Sequence, residues 1–239
     1  MADIQSLWDF DDPAGSEQRF REALAASPAD GPEIQTQIAR ALGLQGKFDA
    51  AHQTLDAVMP NSPRVEVRSL LERGRVYNSS GKPDQARPLF MTAWEKARAG
   101  QLDFFAVDAA HMLGILDGME WHEKALALAE SSPDPTAQGW IGSLLNNIGW
   151  TYYEQGEYAK ALDAFERDLK WFEERQLNER ARIARYSIGK TYRAMGRIKE
   201  ALAIQQEILQ AQPDDQYVRE EIAECLKQLA QEEPAHDRK

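Results

Sequence analysis

The chain has a single cysteine, Cys225, in 239 residues. It cannot form an internal disulfide, and a reducing compartment is expected. No run of about 18 apolar residues occurs, so no membrane-spanning helix is expected. Positive charge is also scarce: 28 lysines and arginines stand against 39 acidic residues, a formal net charge of −11. Attraction to nucleic acid or to an anionic membrane is therefore not expected, and the acidic balance chiefly serves solubility. Catalytic signatures are missing: there is no HExxH, no GxxxxGK[ST] and no GxSxG. One cysteine is too few for a zinc knuckle. The sequence thus points to no enzyme, no metal and no cofactor. His52 and His122 fall on predicted second helices, His236 lies near the end, and Cys225 flanks the packed face of a late helix. All four read as packed or solvated groups. The opening MADIQSLWDFDDPAG lacks the basic-then-apolar order of a secretion signal, so the expected address is the cytoplasm.

What is present is repetition. NNIGWTYYEQGEYAKALDAF, residues 146–165, returns as YSIGKTYRAMGRIKEALAIQ, residues 186–205. With the turn glycine set to zero, a small residue stands at minus seven, a large one at minus four, alanine at plus five and a larger residue at plus nine. Around Gly156 these are Gly149, Tyr152, Ala161 and Phe165; around Gly196 they are Gly189, Tyr192, Ala201 and Gln205. Gly81 gives Gly74, Tyr77, Ala86 and Phe90, and Gly46 gives Ala39, Leu42, Ala51 and Leu55. Minus seven and minus four share one face of a first helix, and plus five and plus nine share a face of a second. The small residue lets the two backbones approach, with the plus-five alanine expected to meet it. The glycine supplies the positive φ that ends the first helix. Each unit is a helical hairpin that cannot bury its apolar face without neighbours.

The pattern resembles the tetratricopeptide repeat, and four units carry it: roughly residues 32–64, 67–99, 142–176 and 182–213. The resemblance implies an all-α, right-handed α-solenoid of stacked helical hairpins, a superhelix of about five repeats. The expected organisation is an acidic arm and half repeat over 1–31, repeats over 32–214 with a degenerate one at 103–133, a capping helix over 215–230 and a flexible tail over 231–239. Ser16 is the expected N-cap of the half repeat. Between the turns at Gly156 and Gly196 the stretch FEERQLNERARIARYS, residues 172–187, runs on without glycine or proline, and both helices there should gain a turn. That length resembles the longer repeats of kinesin light chains and of bacterial peptide-sensing regulators.

In the family, the residues at minus 13, minus 10, minus six and minus three line a concave groove that holds ligands. Here that stripe includes Arg68, Asn146, Tyr186, Arg40, Arg75, His111, Trp150, Lys190, Asn78, Tyr153 and Arg193. Asn147, at minus nine, is a single rung of the asparagine ladder found in some relatives. Six cations fall on the stripe, and its carboxylates sit in its end units. The expected partner is therefore another protein, bound through an extended acidic peptide by a non-enzymatic adaptor or scaffold. The alternative is a peptide-sensing regulator whose superhelix changes on binding. Lysine at minus ten, which the chaperone-tail clamp needs, is absent. LWDFDDP, residues 7–13, is expected to fold over the first helix. In a second reading this acidic arm enters the basic groove, its own or that of a second copy in a homo-oligomer.

Overall fold

The computed structural model describes residues 4–232; Asp3, His236 and residues 233–239 of the expected tail lie outside the described residues. These described residues contain helices and no strand, grouped in two compact units, 4–138 and 139–232. The first unit contains α1 (Pro13–Ala26), α2 (Gly31–Leu44), α3 (Phe48–Asp56), α4 (Pro63–Ser79), α5 (Pro83–Ala99), α6 (Asp103–Asp117) and α7 (Met119–Ser131). A single turn, α8 (Pro135–Gln138), ends it. The second unit contains α9 (Ile141–Glu154), α10 (Tyr158–Glu174), α11 (Asn178–Ala194), α12 (Ile198–Ala211) and α13 (Gln216–Glu232). Each of α2/α3, α4/α5, α6/α7, α9/α10 and α11/α12 is a hairpin packed against itself and its sequence neighbours within its unit. The described residues thus form an α-solenoid of five hairpins, with α1 before them and α13 after.

One local device closes four of the hairpins. Gly46, Gly81, Gly156 and Gly196 have φ of 73°, 76°, 75° and 78°. At Gly156 the glycine N–H donates to the Tyr153 carbonyl at 3.0 Å, and the Glu157 N–H reaches back to that of Tyr152 at 2.9 Å. These bonds use up carbonyls that the helix end would otherwise leave open. The same pair of bonds recurs between repeats without glycine. Gln101 and Gln176 take φ of 54° and 56°, and Leu102 and Leu177 donate to Ala97 and Phe172 at 2.9 and 3.0 Å. The stretch after Gly156 is therefore two helices of 17 residues, α10 and α11, separated by a turn at Gln176.

Packing revises which side chain meets the small residue. A Cβ added at Gly74 or Gly149 would run into the ring of Phe90 or Phe165, the plus-nine residues, and one at Gly189 would meet the Gln205 amide. The plus-five alanines are buried beside these contacts but are not the nearest groups. In the α6/α7 hairpin, Gly114 receives the His122 ring in a similar way. The helix start at α1 also differs from expectation. Asp12 caps it, accepting from the Gly15 N–H at 2.9 Å, with Pro13 in the first turn. Ser16 lies inside the helix and holds the arm instead: its hydroxyl accepts from the Asp9 N–H at 2.8 Å and donates to the Asp9 carbonyl at 2.9 Å.

Candidate functional site

In the first unit the cations of the stripe are committed to carboxylates of a neighbouring repeat or of their own helix. Arg40 on α2 meets Glu72 on α4 at 3.4 Å, and Arg75 on α4 is bonded to Glu72 at 2.8 Å and to Asp108 on α6. Arg68 pairs with Glu33 at 3.4 Å and lies over the Phe105 ring. Glu72 and Asp108 are 2% and 5% exposed, so these are interior pairs that tie one hairpin to the next. Burial opposes the charge of Arg75, but Asp108 and Glu72 more than offset it and its pKa is raised. Arg68, where burial prevails, has its pKa lowered. His111 is driven down to about 4, chiefly by burial, and is neutral at pH 7. Its ring lies 5.8 Å from that of His122. Asn78 is half-buried near the end of α4.

The stripe is basic in residue type, but its first-unit arginines are paired within the protein. The missed signal is the column at minus nine: Gln37, Glu72, Asp108, Asn147, Ser187 and, in α13, Glu221. Minus nine and minus six lie one turn apart, so a carboxylate there faces the preceding repeat's arginine. The second unit makes one related pair, from a minus-three arginine: Arg193 on α11 pairs with Glu221 on α13.

The arm occupies the first stripe position. Trp8 donates its indole N–H to Gln37 Oε1 at 2.9 Å and stacks on Phe10 at 4.8 Å between centroids. The Arg40 guanidinium lies 5.8 and 5.5 Å from these two rings. Beyond it, Arg40, Gly43, Glu72, Arg75, Val76 and Met112 line a depression of about 150 Å³. LWDFDDP thus folds over the half repeat and also covers Arg40.

Repetition of hairpin, turn and plus-nine contact decides the family, and two tetratricopeptide repeat models match, at residues 111–174 and 146–216. Residues 111–216 belong to the tetratricopeptide repeat family. Among solved structures it is similar to BtubC (BKLC) from P. vanneervenii, with a TM-score of 0.61 and 16% identity over 88% of this chain and 91% of that one. It also resembles the APC/C hetero-tetramer Cut9-Hcn1, with a TM-score of 0.64 and 15% identity over 90% of this chain and 40% of that one. A third is a putative kinesin light chain of Podosopora anserina with nearly identical TPR-like repeats: TM-score 0.57 and 16% identity over 77% of this chain and 96% of that one. At these identities the likeness is one of fold. A search of curated proteins returned no match. Among the described residues no helix is long and apolar enough to cross a membrane.

In the second unit, within the matched region, the minus-nine residues Asn147 and Ser187 carry no charge. The ammonium of Lys190 lies 5.6 Å from the Trp150 ring and 5.9 Å from that of Tyr186, and it makes no ion pair among the described residues. Trp150 packs edge-on against Tyr153 at 5.3 Å and against Phe165 at 5.2 Å. Tyr153 and Tyr186 are half-buried, and burial raises the pKa of both hydroxyls. Asn146 and Asn147 lie one turn earlier on α9, and Asn146 Oδ1 is buried without a partner. Of the residues read from the sequence, Asn146, Asn147, Trp150, Tyr153, Tyr186 and Lys190 fall on this face. Arg193 is beside it but neutralised.

Proposed function

We propose that this protein is a non-catalytic adaptor that binds a partner through an extended peptide laid on the α9/α11 face of its second unit. Lys190, set between Trp150 and Tyr186 and unmatched by a carboxylate among the described residues, is the observation that carries this reading. A cation held over two rings keeps its charge available to an incoming carboxylate, and the rings offer rigid apolar area at small entropic cost. Asparagine amides on the adjacent turn suit a peptide backbone, which presents donors and acceptors alternately. The acidic preference inferred from the stripe narrows to one side chain opposite Lys190. Arg40, Arg68, Arg75 and Arg193 act in holding repeats together.

The test is a pull-down from lysate followed by peptide mapping, with wild type, Lys190→Glu and Trp150→Ala compared. Both variants should lose the captured segment while keeping their helical content. One available cation predicts shallow weakening of binding with salt, about one ion pair's worth. Capture that persists in both variants would refute the assignment.

A further inference from the structure

At plus twelve from the turn glycine the repeats place a residue in the interior. Three of them use Val58, Ala93 and Ile208, all apolar and at most 7% exposed. The α9/α10 repeat places Asp168 there, on α10 and 1% exposed. No hydrogen bond or ion pair reaches it from the described residues, and its Oδ1 is fully buried and unpartnered. Burying a carboxylate in this state is costly, so a packing role alone does not account for it.

Asp168 forms part of the wall of a pocket of about 210 Å³ between α9, α10 and α11. Ser143, Asn146 and Asn147 contribute from α9, Phe172 from α10, and Arg180 and Ile183 from α11. A second acceptor, Asn146 Oδ1, is likewise buried with no donor. Two residues of one lining thus each hold an unmatched acceptor, which suits a ligand rich in donors. Arg180 is the only cation in the lining; it is exposed and makes no ion pair among the described residues. Phe172 adds an aromatic wall to the cavity, which suits a cation. Burial raises the Asp168 pKa to about 7, with Arg180 acting in the opposite sense. An ammonium entering the pocket would therefore meet a carboxyl group that readily ionises beside it. No cluster of three or more His, Cys, Asp or Glu side chains that could hold a metal ion exists among the described residues.

We propose that the pocket around Asp168 receives a primary ammonium group of the bound peptide, supplied by a lysine side chain or by the peptide's N-terminus. The inference rests on the reading of the second unit as a peptide-binding face and adds a basic requirement to it. Ser143, Asn146 and Ile183 belong to the ligand-facing stripe, so one extended segment can serve this pocket and the Lys190 position together. Arg180 at the rim would then compete with the ligand for Asp168.

The experiment titrates three probes into the full chain labelled with ¹⁵N, following the amide shifts of Asn146, Asn147, Asp168 and Arg180. Nα-acetyl-lysine methylamide presents the side-chain ammonium, Nε-acetyl-lysine methylamide presents the terminal one, and the doubly acetylated compound presents neither. At least one ammonium probe should give saturable shifts, and the doubly acetylated one none. Asp168→Asn should weaken that probe about tenfold or more, the amount expected for losing a charged hydrogen bond. Arg180→Gln should strengthen it. Should Asp168→Asn fail to fold, Asp168→Ala serves, since Ala93 fills the equivalent place in a sister repeat. Absence of saturable shifts, equal binding of the doubly acetylated probe, or unchanged binding by Asp168→Asn would each overturn the proposal. If lysate capture through Trp150 and Lys190 survives while the ammonium probes fail, only this inference falls. If capture fails and an Asp168-dependent ammonium site remains, the peptide assignment falls instead.

Discussion

Arg75 on α4 holds Glu72 of its own helix with one guanidinium nitrogen and Asp108 of α6 with another. Both carboxylates are interior, and the arginine is the counter-charge that permits them to be so. A residue that the repeat ruler assigns to the ligand face is thus also a tie between successive hairpins.

Arg75→Glu, which looks harmless as a change on a ligand-facing stripe, should instead leave three carboxylates facing one another in the interior. Loss of roughly 3–5 kcal/mol of stability is expected, the scale for breaking a buried pair. Chemical denaturation of the variant would measure it. Lys190→Glu, with no partner to abandon, should change stability by less than about 1 kcal/mol. Similar losses in the two variants would contradict this account.

The fit of Phe165 onto Gly149 predicts that Gly149→Ala destabilises the second unit by about 1–3 kcal/mol through overpacking. Phe165→Leu in the same chain should recover part of that loss. Gly156→Ala meets no neighbouring atom, yet its φ of 75° should cost about 1–2 kcal/mol. Thermal melts of the three variants separate packing from backbone strain.

Asp168 sets a pH dependence with a definite sign. Its pKa rises from the ordinary 3.8 to about 7 in the folded chain, through burial opposed by Arg180. The native state then holds a proton that the unfolded state has lost, so stability falls as pH rises through this window and levels off above it. The loss is on the order of 4 kcal/mol. Asp168→Ala should flatten this part of the profile and be more stable than wild type at pH 8. Melts from pH 4 to pH 8 would show it, and parallel profiles would remove the argument.

Trp8→Ala should remove the bond to Gln37, the stacking on Phe10 and the edge-on contact with Phe20. A loss of about 2 kcal/mol is expected for this half-buried ring. Hydrogen exchange should quicken in α1 and α2 and stay unchanged in α9 to α13. A uniform change across the chain would mean that the arm acts otherwise.

The hairpins were legible because their cause is local. A glycine at the turn and small and large residues at fixed offsets dictate helix ends and faces within about 35 residues. Even so, the turns at Gln101 and Gln176 escaped a reading based on glycine. Their signal is the shared Gln-Leu followed by Asp103 or Asn178, and the bonds that close these turns come from the backbone rather than from the residue type. Ser16 looked like a helix cap because serine favours that place, but Asp12 and Pro13 already begin the helix there.

The stripe was legible as a set of positions but not as a set of charges. Periodicity places Arg40, Arg75, Lys190 and Arg193 on one ribbon, since a helix face depends only on spacing. Whether each cation is free depends on a residue about 30 positions away, and that distance is closed only by stacking one hairpin on the next. Stacking brings Glu72 to Arg40, Asp108 to Arg75 and Glu221 to Arg193, and among the described residues brings no carboxylate to Lys190. The amino-acid order determined the repeat and the faces of its helices. Tertiary packing alone decided where charge is neutralised and where a carboxylate stays unmatched, because Coulomb pairing depends on distance in space.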